Sequence, residues 1–422
     1  MPAPRRPQPW QLVLAFFAIT SLVESFGFGH FSRFIPLYLR FLGTPSRDVP
    51  TWTGVFSALV YIVGLPLIPL WGVWAEKYSR KAVIARSAYV EMVVFVVLAI
   101  SQNAYQLAIG VALVGFQLGN TGVMLAALRS AVPAHRVGLA ISLFAVTPPL
   151  GIALGPTIGG LLVDHGVLNL RGLYLLDAAL SLGTGLMLTL LYREARPANP
   201  PTEGVFFLAR RAVRLVFTTR STLALFGVFG LVYLGTQTTA PFFPLLVQRV
   251  HQGPGLATAI GLVFGASALV GALLSPIAGV LGDRYGFKNV LVGATLLGAL
   301  SLAGMALAPT IALLTAAAIA FGMGSASASS MVFALLATTV AEDRRSTTLN
   351  LSYVPLYISG LVGGTLGAGL ARVNLSLVPL TGAFFALAAS LVALRAIRAG
   401  AAPTQAAEHE SAAAQADVPL SP

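Results

Sequence analysis

The sequence contains no cysteine, and this absence removes several kinds of chemistry at once. Disulfide bonds, thiolate nucleophiles and thiolate metal sites are all excluded. The five histidines are scattered without the spacing of a metal site, so we expect neither a metal nor another cofactor. Because no nucleophile, base or metal-ligand cluster converges at one depth of the chain, the sequence also argues against an enzyme.

Charged residues are scarce too, at 9% of the chain, whereas a soluble domain carries about 25%. Hydrophobic residues make up 56% of the 422 residues, and the mean hydropathy is +0.83. The apolar residues form long runs, which places the chain in a lipid bilayer. Lipid cannot satisfy open backbone groups, and nothing alternates like a barrel strand, so the runs predict helices.

Twelve apolar runs are each long enough to cross a hydrocarbon core of about 30 Å. The predicted fold class is therefore an all-α membrane protein with twelve transmembrane helices. Numbered from 1 to 12, the predicted helices cover residues 11–39, 51–75, 82–101, 104–127, 139–163, 172–192, 221–247, 256–281, 288–307, 309–336, 350–371 and 376–397.

Short sequence patterns occur twice, about 200 residues apart, as in transporters built from internal repeats. The pairs keep the same order along the chain: residues 35–37 and 243–245, 72–78 and 279–285, Gly155 and Gly363, and Gly159 and Gly367. This shared order indicates that one half of the chain arose by duplication of the other. We therefore expect two pseudo-symmetric six-helix bundles with a cleft between them.

The duplication sets the predicted domain boundaries. An N-terminal bundle covers residues 1–192, and a C-terminal bundle covers residues 221–398. Residues 193–220 are predicted to be a cytoplasmic linker, because their proline-rich start cannot be helical throughout. The second part of this linker is either an amphipathic segment on the membrane surface or a plain connection. The Ala-rich tail, residues 399–422, is predicted to be disordered and cytoplasmic.

The positive charge, 26 Lys and Arg against 14 Asp and Glu, is unevenly placed. With the amino terminus inside, about twenty of the basic residues lie on inner segments, and Arg86 is counted among them. This asymmetry predicts a multi-pass protein of an inner or plasma membrane with both termini cytoplasmic. Since it accounts for most of the net charge of +12, we expect no nucleic-acid partner.

The segment between predicted helices 2 and 3, residues 72–81, resembles the G-x-L-A-D-x-x-G-R-R signature of the major facilitator superfamily. The residues that match it are Gly72, Ala75, Arg80 and Lys81. Glu76 replaces the aspartate of the signature, and Ser79 replaces its second glycine. The second copy, residues 279–288, keeps the aspartate as Asp283. The signature occurs at both expected places in a duplicated chain of twelve helices, and this makes the resemblance specific.

The resemblance implies a latch that closes the inner gate in the outward-open state. Glu76 would contact Arg129 at the inner end of predicted helix 4, and such a contact can differ between states. The alternative is that the basic residues of the loop only fix the topology. The residues assigned to gating and the latch are Gly72, Glu76, Lys77, Arg80, Lys81, Arg129, Asp283, Arg284 and Lys288.

Predicted helix 5 carries glycines on one face. Gly151, Gly155 and Gly159 follow each other at intervals of four residues, which permits close helix packing, and Pro156 bends the helix. The string from Gly151 to Gly160 resembles the G-x-x-x-G-P-x-x-G-G motif of drug/proton antiporters within the superfamily. The resemblance therefore implies export.

Three acidic residues lie within the apolar runs, where an ionised group costs about 2.5–3.5 kcal/mol at a helix centre. By the resemblance, helices 1, 4, 7 and 10 line the cavity, so Glu24 in helix 1 is the predicted site of proton coupling. The alternative for Glu24 is a structural carboxylate paired with a neighbour. Glu91 and Asp177 lie on helices 3 and 6, which are peripheral in the family. Asp177 follows Arg171 closely and is expected near the outer surface.

The cavity candidates follow from spacing on these helices, and the polar face of helix 4 is the clearest of them because polar groups are disfavoured against lipid. Aromatic and methionine side chains without fixed charges suit variable, amphipathic ligands, although any single aromatic could equally serve packing alone. His30 and Arg33 could gate the outer end. The predicted cavity residues are Phe28, Phe31, Gln117, Asn120, Thr121, Met124, Tyr233, Gln237, Phe242, Ser325 and Ser329.

These observations predict a monomeric secondary active transporter that exports small amphipathic compounds in exchange for protons, by alternating access across a lipid bilayer. One piece is missing: the arginine that such exporters carry on helix 4 would fall, by its spacing from Gly115, at Val111. Its absence favours the alternative of a facilitator or importer of a polar metabolite or sugar, which the glycine string opposes. A non-transporting sensor or scaffold would need neither Glu24 nor the polar face of helix 4.

Overall fold

The computed structural model describes residues 8–194, 220–339 and 353–396. Within these ranges the chain forms twelve apolar helices long enough to span a membrane, and no strand, which confirms the predicted fold class. The helices are α1 Trp10–Phe41, α2 Val49–Lys77, α3 Arg80–Ile100, α4 Ala104–Gln117 and Thr121–Ala131, α5 Val137–Ala145 and Thr147–Asp164, α6 Leu170–Leu190, α7 Arg220–Thr239 and Phe243–Val250, α8 Leu256–Tyr285, α9 Phe287–Leu307, α10 Ile311–Thr339, α11 Tyr353–Val373 and α12 Leu377–Ala396.

The predicted linker lies almost entirely outside the described residues, and the predicted disordered tail lies wholly outside them. The remaining boundaries agree with the apolar runs to within a few residues, because lipid exposure demands long uninterrupted apolar segments. The domain division at these segments remains a prediction.

Three of the helices are interrupted, and the sequence accounts for two of the breaks. Helix α4 stops at Gln117 and resumes at Thr121, because Gly119 has a φ of +95°, a left-handed conformation that glycine adopts without steric cost. Helix α7 passes through a 3₁₀ turn that contains Pro241, which cannot donate a backbone hydrogen bond. Because Gly119 interrupts α4, the prediction that Gln117, Asn120, Thr121 and Met124 share one continuous helical face was wrong.

Side-chain contacts define the two ends of the bundle. At one end, the ammonium group of Lys81 donates to the carbonyls of Thr189 and Tyr192, at 2.8 and 2.6 Å, which joins the start of α3 to the end of α6. The start of α9 meets the end of α12 there through Lys288 and the carbonyl of Leu394. We call this end, where the described chain starts and stops, the terminal face, and the opposite end the far face.

Buried apolar side chains form one shared core toward the far face and two separate cores toward the terminal face. The shared core joins residues of both halves, for example Phe34 and Tyr38 with Leu246 and Ile260. The separate cores belong to the N-terminal half, around Phe17, and to the C-terminal half. The two halves are thus packed together near the far face and divide toward the terminal face.

Hydrogen bonds between the halves follow the same division. All those found among the described residues lie in the far half of the bundle: Arg33 to the carbonyl of Ala240 (3.1 Å), Thr157 to the carbonyl of Gly261 (3.0 Å), the backbone N–H of Thr258 to Asp164 (2.6 Å), and Gln237 to Tyr61. The cleft is therefore closed at the far face. In the predicted orientation this is an inward-facing state.

The glycines of α5 lie against α1 with matching spacing. Gly151 faces Leu22, Gly155 faces Phe26 and Gly159 faces His30, so both helices contribute every fourth residue to the contact. A Cβ atom at Gly151 would lie 2.5 Å from the carbonyl oxygen of Leu22 and 2.7 Å from Cβ of Ser25. The backbones approach as closely as the glycine string predicts, because no side chain separates them.

We predict that Gly155→Leu will lower the abundance and the unfolding temperature of the protein. The added side chain would meet the backbone of Phe26, and forcing extra atoms into a packed contact costs about 1–3 kcal/mol or more. Gly183→Leu is the matched control, because Gly183 is exposed on α6 and has open space where its Cβ would be. Equal abundance and equal thermal unfolding of the two variants in detergent would contradict the close-contact interpretation.

Candidate functional site

The carboxyl group of Glu24 is buried at mid-depth between α1 and the break in α4. The side-chain amide of Asn120 donates to both of its oxygens, at 2.6 and 2.7 Å. The left-handed turn at Gly119 separates the two segments of α4, and Asn120 is the residue just before the second segment. The structure thus brings together two of the predicted site residues that are 96 positions apart.

The break in α4 leaves backbone carbonyls without helical partners, and α3 supplies them. The guanidinium of Arg86 donates to the carbonyls of Gln117 and Leu118, both at 3.2 Å. The hydroxyl of Ser87 donates to the carbonyl of Gln117 at 2.7 Å. Unsatisfied carbonyls at a helix end are costly inside a membrane, so these contacts hold the interruption in place.

Arg86 also gives the site a cation. Its guanidinium lies 3.7 Å from the centre of the Trp71 ring, and it interacts electrostatically with Glu24. The sequence analysis counted Arg86 only among the charges that set topology. Its position inside predicted helix 3, together with the missing arginine at Val111, was the signal that could have identified it.

A cavity of about 90 Å³ lies between the halves, on the far side of the bundle. Of the predicted cavity residues, Phe28, Phe31 and Gln237 line it, together with Arg33 and Tyr61. The guanidinium of Arg33 lies 3.7 Å from the centre of the Phe264 ring in α8 and so connects the two halves at this point. The lining therefore combines four aromatic rings with several polar side chains, among them the cation of Arg33.

Other predicted cavity residues lie elsewhere. Met124 is fully buried in the apolar core of the N-terminal half, and Phe242 is fully buried against Gly367. The ring of Tyr233 packs on Phe229 with their centres 4.5 Å apart. These side chains fill core space, which periodicity alone cannot distinguish from lining a cavity.

The remaining members of that set are spread over three environments. Ser325 lines a small void of about 20 Å³ within the C-terminal half, and Ser329 is half-buried on the same helix. Thr121 is exposed at the break in α4, whereas Gln117 is buried there and offers its carbonyl to Arg86 and Ser87. The structure thus joins Asn120 to Glu24, places Gln117 and Thr121 at the same break in α4, and leaves the serines apart.

The predicted latch is open in this conformation. Glu76 and Arg129 are both exposed, and neither forms an ion pair with another residue of the described ranges. Asp283, Arg284 and Gly72 are exposed as well, while Lys77 and Lys288 are half-buried. A latch that holds the terminal face shut would be expected to separate in a state that is open there, so its role remains a prediction.

Two other residues of the motif loop, Arg80 and Lys81, contact the end of the N-terminal bundle. Glu194 accepts hydrogen bonds from the backbone N–H of Arg80 at 2.5 Å and from the hydroxyl of Ser79 at 2.6 Å. The guanidinium of Arg80 donates to Ser130. A carboxylate at a helix N-terminus is stabilising, so these contacts anchor the start of α3.

Asp177 and Glu91 are both buried, which corrects the expectation that Asp177 lies near the outer surface. Asp177 is 1% exposed, and both of its oxygens lie 2.9 Å from Nδ1 of His30. Glu91 is 0% exposed. Proximity to Arg171 along the sequence was misleading, because α6 runs inward from Arg171 and carries Asp177 two turns deeper.

Comparison with known proteins agrees with this architecture. The sequence profile described as Major Facilitator Superfamily matches residues 9–256 and 225–422. The chain belongs to the major facilitator superfamily. This superfamily member is therefore a multi-pass membrane transporter.

Similar sequences include proteins named for drug resistance. The chain is 27% identical over 279 residues to multidrug resistance protein MdtG of Salmonella typhi, a match that covers 66% of this chain and 68% of that protein. It is 25% identical over 306 residues to MdtG of Enterobacter lignolyticus (strain SCF1), which covers 72% of each.

Similar solved structures include transporters of other names. A variant of the nucleoside transporter NupG superposes with a TM-score of 0.77 at 16% identity, over 92% of this chain and 100% of that one. A POT family transporter in complex with 5-aminolevulinic acid gives 0.72 at 14% identity, over 90% and 95%. At such identities the likeness concerns the fold alone.

We predict that Asn120→Ala will lower the free energy of unfolding by about 1–3 kcal/mol, the usual cost of a buried polar group that loses its partner. The carboxyl group of Glu24 would lose the donor that serves both of its oxygens. Asn289→Ala is the matched control, because Asn289 is exposed and its change should cost less than about 0.5 kcal/mol. Equal denaturation midpoints for the two variants would show that the contact with Glu24 contributes nothing to stability.

Proposed function

We propose that this superfamily member exports small amphipathic compounds in exchange for protons, with Glu24 as the group that binds the proton. The observation that carries the proposal is the buried carboxyl group of Glu24, held at mid-depth by Asn120. The glycine string of α5 and the names of the MdtG relatives support the direction and the substrate class.

The hydrogen bonding of Glu24 supplies a mechanism for coupling. An ionised carboxylate accepts hydrogen bonds strongly at both oxygens, the two that Asn120 reaches, whereas a protonated carboxyl group turns one oxygen into a donor. Proton binding neutralises the carboxylate, so both hydrogen bonds from Asn120 lose their charge assistance, which is worth about 1.5–3 kcal/mol per bond to a charged group against about 1 kcal/mol for a neutral one. The contact between α1 and the break in α4 loosens when Glu24 takes up a proton and tightens when it releases one.

Alternating access would then proceed by rocking the two halves. Opening the far face breaks the contacts of Arg33, Thr157, Thr258 and Gln237 across the cleft. A proton enters from that side and binds Glu24 while substrate leaves, and loss of the proton at the terminal face resets the cavity. The membrane potential supplies about 2.3 kcal/mol per elementary charge per 100 mV, to which the pH difference adds.

The lining of the far cavity suits amphipathic ligands. Phe28, Phe31 and Phe56 offer apolar surface, and polar atoms come from Ser32, Arg33, Thr53, Ser57, Tyr61 and Gln237. Ligand sites are commonly apolar with a few placed polar groups. Compounds that share only an apolar body and a polar end can bind such a site without a fixed set of ion pairs.

A second candidate function is a facilitator or importer of a polar metabolite. The specific observation in its favour is Val111, which is fully buried in the apolar core. By the family resemblance, drug/proton antiporters carry an arginine at this position of helix 4. Arg86 provides a cation near Glu24 from a different helix, which weakens this objection to proton coupling. Transport of ethidium and of neutral sugars into proteoliposomes, with and without an imposed pH gradient, separates the two functions.

We predict that Glu24→Gln will abolish proton-driven uptake of ethidium into inverted vesicles, because the amide cannot bind and release the coupling proton. Asp48→Asn is the matched control: it makes the same change at a carboxylate in the loop before α2 and should leave uptake unchanged. Equal expression of both variants shows that insertion is intact. Undiminished uptake by Glu24→Gln would remove Glu24 from the coupling role.

Gating in this scheme uses the loop between α2 and α3 and its counterpart between α8 and α9. When the terminal face closes, Glu76 contacts Arg129 and stabilises the outward-facing state. The exposure of both side chains in the inward-facing conformation is compatible with a contact that exists in one state only. Asp283, Arg284 and Lys288 occupy the same places in the second half and would act in parallel.

We predict that Glu76→Ala will shift the population toward the state that is open at the terminal face. Because the chain has no cysteine, single-cysteine reporters have no background. A cysteine at Thr121, exposed at the break in α4, should then label faster, and a cysteine at Ser32, in the far cavity, should label more slowly. Asp48→Ala serves as the control for loss of a carboxylate, and unchanged labelling at both reporters would count against the latch.

A further inference from the structure

The N-terminal half contains buried titratable groups that the proposed mechanism does not use. Glu91 in α3 is 0% exposed, and both of its oxygens lack a hydrogen-bond partner among the described residues. His30 in α1 is 0% exposed, and its Nε2 atom likewise lacks a partner. Buried polar groups are normally satisfied, so partnerless ones on two neighbouring helices call for an explanation.

These groups are arranged along one face of α1. Glu24, Gly27 and His30 follow each other at intervals of three residues, which places each about 4.5 Å further along the helix axis. The Oε1 atom of Glu91 lies 3.5 Å from the point where a Cβ of Gly27 would be, so the carboxyl group fills the place between Glu24 and His30. Asp177 continues the series through its 2.9 Å contacts with His30.

Few polar side chains surround these buried groups. Glu91 interacts electrostatically with Glu24 and Asp177, and the side chains of Ser181 and Gln117 are the other polar groups that face it. Around Glu24 stand Asn120, Ser87 and Arg86. Like-charged carboxylates that interact in a low dielectric repel one another, which favours retention of protons within the series.

The series also has a continuation toward the far face. On α6, Tyr174 lies one turn before Asp177, is fully buried and has a hydroxyl group without a partner within the described part of the chain. Arg171, a further turn away, reaches the far end of the bundle, where it donates to Gln102 and to the carbonyl of Ser101. Arg171, Tyr174 and Asp177 thus lie on successive turns of α6 from the far face inward.

We propose that Tyr174, the Asp177–His30 pair and Glu91 form a proton path inside the N-terminal half that reaches Glu24 without passing through the cleft between the halves. Each transfer moves one proton between neighbouring oxygen or nitrogen atoms, directly or through a bridging water, and leaves the donor ready to be reloaded from the side behind it. The path rests on the proposed function in one respect, namely that Glu24 is its end point.

Such a path would separate the route of the proton from the route of the substrate. In the conformation with a closed far face, inter-half contacts seal the cleft on that side. A proton path through α1, α3 and α6 does not cross those contacts, because all three helices belong to one half. The proposed path therefore crosses none of the contacts that open and close the substrate route.

The test is deuterium exchange at Glu91, read by infrared spectroscopy on the full-length protein in lipid nanodiscs, with no substrate present. The carboxylic-acid band that is lost in Glu91→Gln reports this residue. On mixing with D₂O, the band should shift promptly in the wild type. Glu24→Gln and Asp177→Asn each block one end of the path and should slow the shift only about twofold, whereas the double variant should slow it at least about tenfold.

Several outcomes would overturn the path. One is a Glu91 band that fails to exchange in the wild type, as a sealed structural carboxyl group would behave; another is the absence of any such band between about pH 5 and pH 9. A third is wild-type exchange in the double variant. If Asp177→Asn does not fold, His30→Gln replaces it, and Asp48→Asn controls for the amide substitution. The uptake result for Glu24→Gln decides the proposed function separately, since deuterium exchange needs no transport.

Discussion

Hydrocarbon cannot form hydrogen bonds, and every polar atom placed within this bundle must therefore find its partner in the protein. That constraint explains the contacts around the site. Asn120 satisfies both oxygens of Glu24, while Arg86 and Ser87 satisfy the carbonyls that the break in α4 releases. His30 satisfies Asp177 in the same way. Glu91, Tyr174 and Nε2 of His30 are buried without a hydrogen-bond partner among the described residues, and they form the basis of the proposed proton path.

Close helix packing is the second condition that the site needs. Glycines on α5 bring α1 within backbone contact, and the same helix meets α8 of the other half through Gly160 and Gly261. Helix α5 thus links the helix that carries Glu24 to the partner bundle. When the halves move, α1 is expected to move together with α5, because rigid backbones rather than flexible side chains form their contact. In the proposed mechanism, this arrangement couples protonation of Glu24 to movement of the halves.

The fold was predictable to a large extent, and the site only in part. Apolar runs located all twelve helices, and the glycine string predicted a close helix contact on α5, whose partner α1 only the structure identified. Periodicity on predicted helix 4 identified Asn120 but also selected Met124, which is a core residue, because it assumed a helix that Gly119 interrupts. Glu24 was found because a lone acid in an apolar run is costly; Arg86 was passed over because a basic residue near a membrane face has an ordinary explanation.

The sequence by itself determined the membrane environment, the number of helices, the duplicated architecture and the family, since these depend on composition, segment length and local motifs. Only the tertiary structure decided which polar groups meet. Glu24 and Asn120, or His30 and Asp177, are about a hundred or more residues apart, and their contacts depend on how α1 packs between α4 and α6. It likewise decided that the cleft is closed at the far face, because that state depends on contacts between halves that no local pattern encodes.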